Sequence, residues 1–430
     1  MAGMDTTLTD AGWDELRDRW ERADSQIRTW WDADIRQARE EDVCDPAKNA
    51  VWFVDEEHRS REGVGPAADA HTLLYLPFPY ISAGGSEEAF PEMYCWDVRF
   101  INRALLLHGR REIVRNHILN QLFLIQRFGF VLTGNRTYYL TRSQTPLLAD
   151  SVVEYCRQEA DRDLLMLAYP GLTREYEGYW TAPHHQTPVG LATHHDSGDA
   201  RLRPELAAEA ESLDFTAIYG GDVRRCVPLQ LNCALVRYET NLAWIAAALH
   251  EPEEADRWVQ RAERRKELIR TYCWDQELGF FFEYDYVRAA RLPYWSLTAY
   301  WALWAGVATP ADAARMVQHL SRFAYPYGLT QTDVAYQSPH HEFTWLQWGY
   351  PCAWAPSQMV VVEGLDRYGF RREAEEVAGR YLRCLLGEFD RTGRFWEKYN
   401  GVDGTSRVPR ERTPNVPLHG WTTAAVAVLG

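Results

Sequence analysis

Helical periodicity, repeated along most of the sequence, constrains the fold of this chain more than any other feature. Apolar residues recur at intervals of three and four from 11 to 40 and again from 98 to 127. Further helical patterns occupy 147–167, 226–250, 253–273, 294–306, 309–322, 355–368, 371–386 and 420–429. Almost no stretch alternates apolar and polar residues as a half-buried strand would. The pattern therefore predicts an all-α protein with about eleven or twelve helices.

The composition predicts a chain that buries a sizeable core, because 46% of its 430 residues are hydrophobic and 25% are charged. No shift in composition marks a linker. We therefore predict a single domain over 1–430, with inserted loops at about 41–92 and 170–205. If the helices pack as paired layers in a ring, alternate connections converge on one face and build one site there.

The charge balance limits the classes of partner. A formal net charge of −15 argues against nucleic acid, because phosphate binding needs a basic face. No apolar run reaches the roughly 18 residues of a membrane span, and the first residues are polar, so we expect a cytoplasmic protein that binds no membrane. The eight cysteines are scattered singly, which favours reduced thiols. The sequence leaves open whether the chain forms a homo-oligomer.

Three His-His pairs, at 184–185, 194–195 and 340–341, raise the question of a zinc site. None has the i, i+4 spacing or the Cys/His complement of a typical zinc site. The Gly84-Gly85 pair lacks both the Lys-Ser/Thr and the preceding strand of a phosphate-binding loop. We therefore predict no metal and no cofactor.

The stretch 128–146 is too polar and too aromatic to be an ordinary connector between helices. It places Asn135, Arg142 and Gln144 beside two adjacent tyrosines. Amide and guanidinium groups bind sugar hydroxyls, and aromatic rings stack on the apolar face of a pyranose. The 18 tryptophans and 23 tyrosines of the chain supply more such rings. These features predict a small-molecule sugar glycoside as the ligand.

Three further polar-aromatic motifs adjoin predicted helices. Their candidate sugar-binding residues are Tyr94, Trp96 and Asp97 in the first, Gln347, Trp348 and Trp354 in the second, and Tyr399 and Trp421 in the third. Each also has a structural interpretation. Asp97 suits a helix N-cap, Arg142 and Gln144 suit loop-anchoring hydrogen bonds, and the tryptophans suit core packing.

In their order along the chain, the motifs resemble those of the trehalase and processing-glucosidase clan of glycoside hydrolases, families thirty-seven and sixty-three. Residues 94–100 are similar to the trehalase segment YYWDSYF, and residues 134–146 are similar to NG-R-YY-RSQPP. Residues 347–356 are similar to QWDYPNGWAP, with Gly349 in place of Asp. Residues 397–399 and 420–423 are similar to EKY and GWTNG, respectively. The similarity extends from about 90 to 425. It implies an (α/α)6 barrel with its active site on the loop face.

The stretch Thr187–Glu205 decides the choice within the clan. It is more similar to the TGLSRYYD…PPE stretch of the family sixty-three mannosylglycerate hydrolases than to the ESGWDFSSRW stretch of trehalases, which we do not identify here. This resemblance implies Asp196 as general acid and Glu397 as general base. Asp199 and Glu205 in the same loop remain alternatives for the acid.

The resemblance implies an inverting α-glycosidase that acts on a small α-linked glycoside. Inversion needs one protonated and one ionised carboxyl, about 6.5–9.5 Å apart. The arginines of the 128–146 stretch favour a carboxylate on the substrate, so mannosylglycerate or glucosylglycerate is the preferred prediction. Ala89 stands where the clan usually has an arginine, so one contact to the substrate differs. The alternatives are a trehalase-like disaccharide hydrolase and a non-catalytic or phosphorolytic sugar-binding barrel.

Overall fold

The computed structural model of the chain describes residues 10–38, 73–86, 89–196, 203–339, 346–408 and 415–430. Cys44, Asp199, the 340–341 histidine pair and most of the predicted 41–92 loop lie outside these ranges. The seven cysteines within them are buried and form no disulfide. Among the helices described, none combines the length and apolar character needed to cross a membrane.

The described residues are mainly helical. The helices are α1 (Asp10–Asp34), α2 (Asp97–Leu107), α3 (Arg111–Phe128), α4 (Leu148–Glu159), α5 (Arg162–Glu175), α6 (Pro204–Glu209), α7 (Leu229–Ala248), α8 (Pro252–Cys273), α9 (Trp301–Trp304), α10 (Pro310–Val317), α11 (Ala355–Arg367), α12 (Arg371–Thr392) and α13 (Gly420–Leu429). A 3-10 turn, Leu297–Tyr300, leads into α9. The all-α prediction is confirmed.

Short antiparallel strand pairs connect the helices. They are β1 (Ile35–Arg36) with β2 (Tyr80–Ile81), β3 (Cys226–Val227) with β6 (Tyr284–Asp285) and then β7 (Ala290–Arg291), β4 (Trp274–Asp275) with β5 (Phe280–Phe281), β8 (Ala324–Tyr325) with β9 (Gly328–Leu329), and β10 (Cys352–Ala353) with β11 (Tyr399–Asn400). Each strand is two residues long, so the pairs fasten loops and build no sheet-based core.

Six helices form an inner ring in which each packs against the next: α2, α4, α7, α9, α11 and α13, with α13 returning to α2. The other long helices lie outside this ring. α3 packs on α2 and α4, α5 on α4 and α7, α8 on α7, α12 on α11 and α13, and α1 on α12 and α13. This alternation of inner and outer helices is the predicted (α/α)6 barrel.

The two layers differ in the way their sequences distribute apolar residues. α7 is buried along nearly its whole length, as expected for a helix enclosed on all sides. α8 buries Trp258, Ala262, Arg265, Ile269 and Cys273, which recur every three or four residues and form a single stripe. The outer helix α8 therefore buries one face, whereas the inner helix α7 is buried on all sides and includes buried polar residues such as Asn232 and Glu239.

Two predicted helices are each divided in two. The pattern from 98 to 127 breaks at Gly109 and the pattern from 147 to 167 breaks at Ala160, where the backbone adopts positive φ values of 72° and 50°. The predicted loop from 170 also begins later, because α5 continues through Pro170 to Glu175. Burial of Leu165, Ala168 and Leu172 on one face of α5 offsets the hydrogen bond that proline cannot donate.

The starts of three inner helices meet at one end of the barrel. Trp96 precedes α2, Trp354 precedes α11 and Trp421 lies in the first turn of α13. Trp421 packs edge-on against both of the other rings, with centroids 5.7 Å apart in each case. This mouth of the barrel carries the loops that contain the sequence motifs.

Candidate active site

The floor of the mouth is formed by two motifs joined through their backbones. The Cys95 amide donates to the Thr133 carbonyl at 2.9 Å, and the Met93 amide donates to Asn135 Oδ1 at 2.8 Å. Asn135 Nδ2 donates to the Leu74 carbonyl at 3.1 Å, and the residue is 0% exposed. The predicted ligand Asn135 therefore holds the floor together, and its amide is engaged by backbone groups.

Asp196, the predicted general acid, lies in a buried ion pair. Its Oδ2 is 2.8 Å from Arg142 Nε, and its side chain is 0% exposed. Glu211 lies behind this pair and accepts hydrogen bonds from the Ser143 and His195 amides and the Tyr179 hydroxyl. The Asp196 carboxylate is therefore enclosed by the protein and bound to Arg142. Glu205, the described alternative, pairs with Arg203 and Arg224.

Asp214, which we did not select from the sequence, lies in the mouth and is half-buried. Its Oδ1 accepts a hydrogen bond from the Trp348 indole N–H at 3.0 Å, and its carbonyl accepts one from Gln347 Nε2 at 3.3 Å. Burial raises the pKa of the Asp214 carboxyl to about 6, and the negative charge of Glu397 contributes to the rise. A carboxyl in this state can donate a proton close to neutral pH.

Glu397, the predicted general base, is half-buried on the loop that precedes β11. Its Oε2 lies 2.8 Å from the Nζ of Lys398. Its backbone is held on both sides, since its amide donates to the Val416 carbonyl at 2.9 Å and its carbonyl accepts from the Trp421 indole at 3.1 Å. Its carboxylate is thus ion-paired and its backbone is anchored.

One segment bridges the two carboxyls. Gln347 donates to the carbonyl of Asp214, and its Oε1 accepts a hydrogen bond from Lys398 Nζ at 3.3 Å. The adjacent Trp348 donates to the carboxyl of Asp214. Lys398 in turn pairs with Glu397. Asp214 therefore contacts this two-residue segment directly, and Glu397 is linked to it through Lys398.

The predicted tryptophans form one cluster. Trp348 and Trp354 stack in parallel with centroids 3.9 Å apart, and Trp96 lies 5.7 Å from Trp348. Trp96, Trp348, Trp354 and Trp421 are each no more than 6% exposed. The rings contact one another, so the cluster packs the mouth, and the indole N–H groups of Trp348, Trp354 and Trp421 donate to Asp214, Gln347 and Glu397.

The remaining predicted ligands divide between the mouth and its supports. Asp97 begins α2, and burial raises its pKa well above the usual range, with the charge of Glu397 adding to the rise. Tyr94 shares a 2.9 Å hydrogen bond with the Tyr139 hydroxyl. Gln144 is half-buried on the floor. Tyr399 is 0% exposed, and its hydroxyl accepts a hydrogen bond from the Trp396 amide, so it supports the loop of Glu397.

A weak sequence signal for Asp214 exists. Residues 211–216 read Glu-Ser-Leu-Asp-Phe-Thr, which resembles the start of the ESGWDFSSRW stretch of trehalases with one residue fewer, Leu213 for Trp and Thr216 for Ser. This segment follows the 187–205 stretch, in which the sequence comparison does not identify it.

Within the described ranges, no three His, Cys, Asp or Glu side chains converge in a way that could hold a metal ion. His184 and His185 lie close together, with ring centroids 4.5 Å apart. Burial lowers the pKa of His185 to about 4. These rings pack beside Tyr179 and the buried Glu211 behind the floor.

Comparison with known proteins places the chain in a family. The family model described as Trehalase matches residues 54–216 and 208–426. The cytosolic neutral trehalase of Kluyveromyces lactis is 30% identical over 399 residues, which cover 77% of this chain and 52% of that protein. The cytosolic neutral trehalase of Saccharomyces cerevisiae is 29% identical over 408 residues, covering 80% and 54%. The chain thus spans about half the length of the curated relatives it matches.

Solved structures support the same fold. Neutral trehalase Nth1 from Saccharomyces cerevisiae superposes with a TM-score of 0.78 at 24% identity, covering 96% of this chain and 94% of that one. A mannosylglycerate hydrolase from Thermus thermophilus in complex with glucose gives 0.59 at 19% identity, covering 81% and 95%. At these identities the likeness concerns the fold. The relatives matched by sequence favour trehalases over family sixty-three, and the chain belongs to the trehalase family.

Proposed function

We propose that this chain is a glycoside hydrolase that cleaves trehalose or a closely related neutral α-linked disaccharide. The proposal rests on one observation, that a single segment is linked to two carboxyls. The Gln347–Trp348 segment hydrogen-bonds to Asp214 directly and is linked to Glu397 through Lys398. This arrangement brings one carboxyl with a raised pKa and one ion-paired carboxylate to the same mouth.

Asp214 acts as the general acid in this proposal. Its pKa of about 6 keeps a fraction of the carboxyl protonated near neutrality, so it can protonate the leaving oxygen. Glu397 acts as the general base and removes a proton from the attacking water, and Lys398, 2.8 Å away, orients its carboxylate. Two carboxyls in different protonation states are what an inverting glycosidase needs.

A neutral substrate replaces the acidic one that we preferred from the sequence. Arg142 pairs with Asp196, and Arg136 pairs with Glu92, so the charges of both floor arginines are balanced within the protein. The argument for a carboxylate on the substrate rested on these arginines. Mannosylglycerate remains the second candidate, supported by the fold shared with the Thermus thermophilus enzyme.

The test measures hydrolysis of trehalose and of mannosylglycerate by the wild type and by Asp214→Asn, Glu397→Gln and Asp196→Asn. We expect wild-type activity on trehalose and a fall of about 10²–10⁴-fold in kcat for the first two variants. Asp366→Asn, an exposed position at the opposite end of α11, is the matched control and should keep wild-type activity. Circular dichroism of each variant checks that it is folded.

Each assignment has its own contrary result. A fully active Asp214→Asn variant together with an inactive but folded Asp196→Asn variant would return the acid to Asp196. Hydrolysis of mannosylglycerate without hydrolysis of trehalose would overturn the neutral substrate. Retained activity in Glu397→Gln would remove the proposed mechanism altogether.

A further inference from the structure

Lys398 is a lysine buried beside the proposed base, with a side chain that is 0% exposed. An ammonium group removed from water is costly unless charged or polar groups surround it. Here Nζ lies 2.8 Å from Glu397 Oε2 and 3.3 Å from Gln347 Oε1, and 5.1 Å from the centroid of the Trp354 ring. A carboxylate, an amide oxygen and an aromatic face thus hold the charge in one place.

The Lys398 ammonium interacts with both carboxyls of the proposed reaction, by an ion pair with Glu397 and by its charge with Asp214. Its charge opposes the rise in the pKa of Asp214 that burial and Glu397 produce. Among the described residues, four acidic groups interact electrostatically in this cluster: Asp97 at the start of α2, Glu209 at the end of α6, Asp214 and Glu397. Lys398 supplies a positive charge beside them.

The hydrogen bonds of Gln347 fix the geometry of this arrangement. Its amide nitrogen donates to the Asp214 loop, while its amide oxygen accepts from Lys398. A displacement of the lysine therefore affects the support of both carboxyls. A lysine that served only to fill space would not need two polar acceptors directed at its Nζ.

We propose that Lys398 is a positioning residue for the reaction: its ammonium holds the Glu397 carboxylate in one orientation, and its charge acts on both Asp214 and Glu397. This inference rests on the proposed function. It predicts that loss of the charge moves the pH dependence of the reaction, and does not merely lower the rate.

The experiment compares pH profiles of kcat/KM on trehalose for the wild type, Lys398→Met and Lys398→Arg. For Lys398→Met, we expect kcat to fall, because the Glu397 carboxylate loses the partner that orients it. The basic limb should move to higher pH, since Lys398 opposes the raised pKa of Asp214. Lys398→Arg keeps the charge and should keep the basic limb at its wild-type position.

Lys266→Met is the matched control. Lys266 in α8 also forms a 2.8 Å ion pair, with Glu263, but on an outer helix. The same change of side chain there should leave both limbs in place. If Lys398→Met does not fold, Lys398→Gln removes the charge and retains a hydrogen-bond donor for Glu397.

The outcomes separate the inference from the proposed function. The positioning role would be overturned by a folded, charge-free Lys398 variant that has a reduced kcat but unshifted limbs of the pH profile. An inactive Glu397→Gln variant would leave the proposed function in place in that case. If Glu397→Gln hydrolyses trehalose at the wild-type rate, the proposed function itself is wrong. A shift in Lys398→Met that is absent in Lys398→Arg and Lys266→Met supports the inference.

Discussion

At the scale of single residues, the partner of an aspartate decides what its carboxyl can do. Asp196 and Asp214 both lie in loops with little regular structure, separated by the short helix α6. Asp196 meets the guanidinium of Arg142, whereas Asp214 meets the neutral indole N–H of Trp348. A neutral donor opposes the effect of burial only in part, so the pKa of Asp214 stays raised, at about 6.

The indole of Trp348 therefore tunes the proposed acid. Replacing Trp348 with Phe removes a hydrogen bond that favours the ionised form of Asp214. We expect the basic limb of the kcat/KM profile to move to higher pH by about half a unit to one unit. Trp354→Phe is the control, because it removes an indole of the same cluster that donates to the Gln347 carbonyl and not to the Asp214 carboxyl. Equal shifts in both variants would show that aromatic packing, and not the hydrogen bond, sets the limb.

At the scale of elements, a buried glutamate holds the start of an inner helix. Glu283 is 1% exposed, and its Oε2 accepts a hydrogen bond from the Leu229 amide, the first residue of α7, at 2.7 Å. Burial raises the pKa of Glu283 to about 7, against the effects of the Leu229 amide and the Thr298 side chain. The folded protein therefore keeps a proton on this group over a range in which the unfolded chain has lost it.

This raised pKa makes stability depend on pH. The contribution of Glu283 is fully present below its usual pKa of 4.5 and is lost as pH rises towards about 7. Glu283→Gln cannot titrate, so the free energy of unfolding should fall less steeply with pH, by up to about 1.4 kcal/mol per unit in this range. Urea denaturation at several pH values measures this slope. Glu267→Gln, exposed on α8, should retain the wild-type slope, and an unchanged slope in Glu283→Gln would contradict the assignment.

At the scale of the whole molecule, ion pairs cross the barrel between inner helices. Arg99 of α2 pairs with Glu363 of α11 at 2.7 Å and with Glu154 of α4 at 3.2 Å. Asp150 of α4 pairs with Arg237 of α7. Burial alone would raise the pKa of Glu363, but Arg103 and Arg99 outweigh it and hold the pKa below its usual range. These pairs join four helices of the ring.

Breaking this network should destabilise the barrel without changing the site. Glu363→Gln leaves Arg99, which is 1% exposed, without its closest carboxylate. We expect unfolding free energy to fall by about 1–3 kcal/mol, because Glu363 is partly exposed and solvent screens part of the loss. Thermal and urea denaturation measure the change. Glu263→Gln, which breaks a surface ion pair, should have little effect on the unfolding free energy. A large fall in kcat/KM of folded Glu363→Gln would contradict the expectation that the network does not affect the site.

The sequence alone was sufficient for the local levels of organisation. Apolar spacing of three and four residues predicted the helices, because it is a property of neighbouring positions. The spacing did not predict the helix ends at Gly109 and Ala160, because it carries no information about positive backbone φ values. The order of the motifs indicated the clan and brought Glu397 and Trp348 forward as site residues. The clan and the barrel are confirmed.

The tertiary structure alone decided which polar groups meet. The hydrogen bond from Trp348 to Asp214 joins residues 134 positions apart, and the one between Lys398 and Gln347 joins residues 51 positions apart. Such pairs leave no periodic trace, since each is created by the closure of the ring. The sequence therefore determined the helices and the family of this protein, whereas the environment of Asp214, Asp196 and Lys398 depends on contacts that only the closed barrel creates.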